Sequence, residues 1–273
     1  MPRFIFHQPA MKENLRITTL QSSLQWENPR ANLAMFSQKM ECLTGRTDVI
    51  VLPEMFTTGF SMNAAALAEG MDGPTMQWIE QQATRLNAVV TGSFIAVEDG
   101  GYYNRLVWMQ PGGIFATYDK RHLFTLAGEH KTYTVGEKKL VVEWLGWIIC
   151  PLICYDLRFP VWSRNAEGYD LLIYMANWPD KRSHHWRQLL MARAIENQTY
   201  TIGVNRVGKD GNGHIYAGDT SIIDYSGKLI YRVSETGDVF TTILSLPAQR
   251  AYRHTLQFLP DRDGFFIALD KSE

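Results

Sequence analysis

The chain predicts an α/β layered sandwich built on mixed sheet. Apolar strand-like runs outnumber amphipathic helical stretches, and the two kinds interleave along the chain. No Pro/Gly/Ser-rich linker, internal repeat or low-complexity tract divides the 273 residues. These observations predict one domain over residues 15–273, preceded by a loose leader at residues 1–14, because regular alternation begins only at LRITTLQ.

The elements follow in order. LRITTLQSSL alternates as a strand, and a helix then carries Leu33, Phe36, Met40 and Leu43 on one face. DVIVLPEM is a β-branched strand stopped by Pro53. Pro74 suits the first turn of a second helix, whose inner face holds Met76, Ile79, Ala83 and Leu86. AVVTGSFIAV and YNRLVWMQ are strands separated by an Asp-Gly-Gly turn, and GGIFATYDK is the next strand. VVEWLGWIICPLICYD is a hairpin turning at Leu145-Gly146. YDLLIYMANW is a buried strand, and HHWRQLLMARAIENQ is a helix with Trp186, Leu189, Leu190 and Ala194 at core spacing. TYTIGVNRVG is another strand, and the stretch from GHIYAGDTSIIDYSGKLIYRV to VFTTILSL alternates as antiparallel hairpins.

Composition narrows the function. The chain is 45% hydrophobic and 20% charged with a formal net charge of -1. That balance argues against a nucleic-acid binder and against a polybasic membrane anchor. The three-residue apolar run near the N-terminus is too short for a signal peptide, and WLGWIICPLIC falls short of a membrane span. Three cysteines without a CxxC pair make a poor disulfide framework, so a reducing, cytoplasmic setting is expected.

Three apolar strands end abruptly in a polar residue: VIVLPE at Glu54, IFATYDK at Lys120 and IICPLIC at Cys154. Strand ends along one sheet edge are where α/β proteins collect catalytic groups. A carboxylate, an ammonium and a thiol gathered there form a nucleophilic site. The carboxylate takes the thiol proton, and the lysine favours the thiolate and stabilises an oxyanion. Taken singly, Cys154 reads as a small buried hydrophobe and Lys120 as a surface charge; the flanking words decide.

LPEMFTTGF, YDKRHLF and CPLICYDLRFP resemble the three catalytic blocks of the nitrilase superfamily, the carbon–nitrogen hydrolases, in the family's order. The resemblance runs from Leu15 to FLPDRDGFF and is closest to the bacterial omega-amidase branch, through YDLLIYMANWP, HHWRQLLMARAIENQTY and GVNRVGKDGNGHIYAGDTSIID. It implies a four-layer αββα sandwich, a homodimer, and catalysis by Glu54, Lys120 and Cys154 without metal or cofactor. It further implies that Glu129, in AGEHKTYTVG, supports substrate and that the Tyr155 N–H joins Lys120 in an oxyanion hole. Nitrile-cleaving members read Cys-Trp-Glu at the nucleophile, whereas this chain reads Cys-Tyr-Asp, as amidase branches do. The substrate implied is a short dicarboxylic monoamide, such as 2-oxoglutaramate or 2-oxosuccinamate, with Arg158 near its anionic end and Arg182 the next candidate. Two alternatives stay open: another amidase or carbamoylase of the family, and a catalytically silent binding member.

The remaining candidates read more plainly. Trp178, just past a buried strand, suits a pocket wall. Asp156 reads as a structural acceptor, Cys150 as core, and Cys42 as helix face or core. His122, His184 and His185 lack metal-ligand spacing, and KDGNG is a turn rather than a phosphate loop.

Overall fold

The computed structural model describes residues 10–267, so residues 1–9 of the expected leader lie outside the described residues, as do residues 268–273. The strands are β1 (Asn14–Gln21), β2 (Val49–Val51), β3 (Val89–Glu98), β4 (Gly101–Met109), β5 (Phe115–Asp119), β6 (Val142–Trp144), β7 (Trp147–Ile153), β8 (Leu171–Met175), β9 (Tyr200–Val204), β10 (Val207–Lys209), β11 (Ile215–Ile223), β12 (Leu229–Ser234) and β13 (Asp238–Ser245). The α-helices are α1 (Pro29–Lys39), α2 (Ala64–Leu67), α3 (Pro74–Leu86), α4 (Ser183–Asn197) and α5 (Leu246–Thr255).

The strands form two mixed sheets. The first has the order β13-β1-β2-β3-β4-β5. The second has the order β10-β11-β9-β8-β7-β6, with β12 also paired to β11. Strand alternation places the layers. Val49 and Val51 of β2 point into the core between the sheets, while Ile50 and Leu52 point outward against Phe36 and Met40 and the Met76, Ile79 and Ala83 face of α3. On the far side, Trp186, Leu190 and Ala194 of α4 cover the second sheet. At Gly203 of β9 an added Cβ would sit 2.4 Å from Leu190 Cδ1, so α4 reaches the sheet only because that residue has no side chain. The result is the expected α/β sandwich, helices outside and two sheets within.

The short central strands set up the site. β2 pairs in parallel with β1 and β3 and stops after three residues, because Pro53 has no N–H to continue the ladder. β7 pairs in parallel with β8 and ends at Ile153, and β5 ends at Asp119. Glu54, Lys120 and Cys154 therefore each stand just beyond the C-terminal end of a strand.

Several elements differ from the reading of the sequence. α1 ends at Lys39, and Leu43 is buried from a separate turn of 3-10 helix at Glu41–Leu43. Cys42 in that turn is exposed, neither helix face nor core, because Leu43 takes the inward position. TYTIGVNRVG splits into β9 and β10, since the Asn205 side chain leaves the ladder to accept from Trp178 N and to donate to the Trp178 and Gly218 carbonyls. α5 was not expected, although Ser245 caps it through its Oγ and Pro247 lies in its first turn. Among the described residues, no helix is long and apolar enough to cross a membrane.

Candidate active site

Glu54, Lys120 and Cys154 converge from both sheets. Lys120 Nζ donates to Glu54 Oε1 at 2.8 Å and to Glu129 Oε1 and Oε2 at 3.0 and 2.9 Å. The two glutamates have no exposed surface, and Lys120 is 1% exposed. Charges so deeply buried persist only when paired and hydrogen-bonded. Burial alone would lower the Lys120 pKa, but Glu129 and Glu54 outweigh it and hold the ammonium above its ordinary value. Burial pushes the Glu129 carboxyl up, with Lys120 opposing.

Two asparagines complete the cluster. Asn104 Nδ2, on β4, donates to Glu54 Oε1 at 2.8 Å and to Glu129 Oε1 at 3.2 Å. Asn177, two residues past β8, donates its backbone N–H to Glu54 Oε2 at 2.8 Å and its side-chain amide to the Glu54 carbonyl at 2.5 Å. Neither was singled out from the sequence. The signals were present: Asn104 interrupts an otherwise β-favouring run, and Asn177 is another polar residue closing an apolar strand.

Cys154 has φ of 41°, a left-handed conformation that costs a non-glycine residue energy and turns the chain sharply from β7 into a short 3-10 helix, Cys154–Arg158. Tyr155 N–H lies in the first turn of that helix, where no intrahelical acceptor exists. Asp156 fastens the turn: Oδ2 accepts from Ile153 N at 3.0 Å and Tyr118 Oη at 2.7 Å, and Oδ1 accepts from His122 N at 3.0 Å. It is a structural acceptor linking the Cys154 turn to the segment that carries Lys120. Burial and the Glu54 charge raise the Cys154 thiol well above its ordinary pKa, with Lys120 opposing and a hydrogen bond to Glu54 adding to the rise. At the sulfur Lys120 favours the thiolate, while burial and Glu54 disfavour it.

Above the thiol lies a cavity of about 240 Å³. Cys154 and Lys120 are its buried charged and nucleophilic lining and so mark its inner end, and Phe60, Phe124, Tyr155, Trp178 and Tyr216 also line it. Trp178 is thus a wall residue. Glu54 and Glu129 lie beneath the lining rather than in it. The solvent-facing lining, and so the mouth, is basic, with exposed Lys181 and His214 and half-buried Arg158 and Arg182, and no Asp or Glu is among the described residues that line the cavity. The Arg158 guanidinium lies 4.7 Å from the Trp178 ring centre, and its Nη2 is 3.1 Å from His185 Nδ1. Arg182 stands 5.3 Å over the Phe124 ring. Burial and the neighbouring Arg182 charge lower the Arg158 pKa. Two guanidiniums that disfavour each other at one opening suit an anion between them. Among the described residues, no three His, Cys, Asp or Glu side chains gather as a metal cluster.

This arrangement offers a thiol, a carboxylate base beside it and an ammonium, at the bottom of a small pocket with a cationic mouth. A carbon-nitrogen hydrolase family model matches residues 17–254. The Escherichia coli (strain K12) protein named omega-amidase YafV is 48% identical over 252 residues, covering 92% of this chain and 98% of that one. A Bacillus subtilis (strain 168) 2-oxoglutaramate amidase is 30% identical, covering 90% of this chain and 96% of its own. Among solved structures, XC1258 from Xanthomonas campestris, a CN-hydrolase superfamily protein with an arsenic adduct in its active site, superposes with a TM-score of 0.93. It is 44% identical, covering 94% of this chain and all of that one.

Proposed function

This chain belongs to the carbon–nitrogen hydrolase family, and on that premise we propose that it is an omega-amidase. It releases ammonia from the terminal amide of short dicarboxylic monoamides such as 2-oxoglutaramate and 2-oxosuccinamate. One observation carries this reading: the nucleophile sits at the inner end of a small cavity whose mouth holds Arg158 and Arg182 with no lining carboxylate. A neutral amide suits the inner end and a carboxylate suits the mouth. The resemblance to proteins named omega-amidase and 2-oxoglutaramate amidase supports the same substrate class.

The chemistry follows from the geometry. Glu54 takes the Cys154 proton as the sulfur attacks the amide carbon. Lys120 and the Tyr155 N–H stabilise the oxyanion. The C–N bond breaks, the nitrogen takes the proton from Glu54, and ammonia leaves a thioester on Cys154. Glu54 then takes a proton from water, and the resulting hydroxide adds to the thioester. The C–S bond breaks, the sulfur recovers its proton from Glu54, and the product is formed as the carboxylic acid. Glu129 and Asn104 hold Glu54 and Lys120 in place throughout. The same reading makes the protein a cytoplasmic homodimer that needs no metal, cofactor or nucleic-acid partner.

The test is ammonia release from a panel of amides, with the intact mass of the protein recorded during turnover. Dicarboxylic monoamides should be the best substrates, and an acyl adduct should appear on Cys154 and vanish in Cys154→Ala. Preference for neutral amides or N-carbamoyl compounds would overturn the substrate assignment, and turnover by Cys154→Ala would overturn the mechanism.

A further inference from the structure

The buried cluster holds more negative charge than the chemistry above requires. One carboxylate base and one ammonium would suffice, yet Lys120 is shared by two glutamates. Asn104, which bridges them, is neutral. With both carboxylates ionised the cluster carries one net negative charge, held out of water where Coulomb forces are weakly screened. Glu129 does not line the cavity, so it reaches a bound molecule through its charge and through Lys120. At the Cys154 sulfur a negative charge is opposed by burial and Glu54 first, favoured by Lys120, and opposed by Glu129 as well.

We propose that Glu129 makes the inner end of the cavity a charge filter, which accepts a neutral amide and rejects a carboxylate. For the far end of the substrate this rests on the omega-amidase reading. A monoamide has one neutral and one anionic end, so it enters in one direction, amide inward and carboxylate at the Arg158 and Arg182 mouth. The filter lifts during the reaction. While Glu54 holds the thiol proton, Glu54, Lys120 and Glu129 sum to zero charge, and the oxyanion is tolerated. When Glu54 has returned its proton the cluster is negative again. The product is formed as a neutral acid; once it ionises it is expelled, and it rebinds poorly. The second glutamate thus favours the transition state over the product.

The experiment measures binding in the Cys154→Ala protein near neutral pH, with two pairs of ligands: succinamate against succinate, and propionamide against propionate. The amide of each pair should bind about tenfold or more tighter than its acid, the scale of one weakly screened charge. Adding Glu129→Gln should tighten the acids and leave the amides within about threefold, closing most of the gap. Glu129→Asp keeps the charge and should keep the gap. In the unmutated enzyme the inhibition constant of succinate should exceed the KM of succinamate, a measurement that needs no substitution. Equal binding of amide and acid, or a gap unchanged by Glu129→Gln, would overturn the filter. The propionamide pair lacks a distal carboxylate, so it tests the filter even if succinamate proves no better a ligand than propionamide, which would count against the omega-amidase reading alone.

Discussion

Lys120 meets both carboxylate oxygens of Glu129, at 3.0 and 2.9 Å from Nζ. With Glu54 as its other partner, the ammonium is, among the described residues, the one cation bonded to these two buried carboxylates. Lys120→Met should therefore do two kinds of damage. Leaving buried charges uncompensated should cost about 3–5 kcal/mol of stability. Loss of the oxyanion cation should lower kcat by at least about a hundredfold. Lys120→Arg should rescue neither, because a planar fork does not fit a site shaped for a compact ammonium. Urea midpoints and kcat check both; an arginine variant with full activity would show that Lys120 supplies only positive charge.

Glu54 both raises the Cys154 pKa and takes its proton in the proposed mechanism, and these two roles predict opposite outcomes for Glu54→Gln. If the reactive species were a preformed thiolate, removing the carboxylate would lower the thiol pKa and speed alkylation by iodoacetamide at neutral pH. If Glu54 acts as the base, alkylation should slow, by about a hundredfold at the scale of general-base catalysis. We expect the slower reaction at neutral pH. As pH rises, the variant should regain rate as the thiol ionises. Exposed Cys42 serves as the internal control and should alkylate equally in both proteins. Faster labelling of Cys154 in the variant would refute the base assignment.

The three strand ends were legible because each is a local pattern: an apolar run, then one polar side chain where the ladder stops. Glu54, Lys120 and Cys154 could be named from that pattern and their flanking words. Partnerships across the chain had no such local mark. Asn104 is 50 residues from Glu54 in sequence, and Asn177 is 123 residues away. The opposing pulls on the thiol had no local mark either, since they come from burial and from the charges of Glu54, Lys120 and Glu129 rather than from neighbouring residues. The break between β9 and β10 also escaped detection, because Asn205 leaves the strand for bonds to Trp178 from a different element. The buried strands and the core faces of α3 and α4 were readable, since apolar periodicity records burial directly.

Asn104 holds Glu54 and Glu129 through one amide nitrogen. Hydrogen bonds to charged groups contribute about 1.5–3 kcal/mol, so Asn104→Leu should lower kcat by about ten- to a hundredfold. Asn104→Asp should be worse despite its similar shape, because a third carboxylate would crowd the lysine. Its activity should also recover partly as pH falls and the cluster takes up a proton, whereas the leucine variant should show no such recovery. Full pH profiles of kcat for both variants check this. Identical profiles would mean that Asn104 contributes packing alone.

Arg158 and Arg182 offer two guanidiniums to one substrate carboxylate, and each is held by an aromatic ring, Trp178 for Arg158 and Phe124 for Arg182. A bidentate guanidinium–carboxylate pair is directional and strong, and a neutral substrate end gains nothing from it. Arg158→Met should therefore raise KM for 2-oxosuccinamate while sparing a neutral amide of similar length. A single loss leaves the other guanidinium in reach, so the cost should fall near the lower end of the roughly 2–5 kcal/mol expected for an unpaired desolvated charge. Because Arg158 is also disfavoured by Arg182 when no anion is present, removing one cation relieves that repulsion and further softens the single-variant effect. The Arg158→Met/Arg182→Met pair removes both readers, so its selectivity loss should exceed the sum of the single losses in free energy. Comparing kcat/KM for the two substrates in all four proteins gives the coupling directly. An equal fall for both substrates would mean that these arginines support the fold, and the carboxylate would then have to be read by Lys181 or His214 at the same mouth.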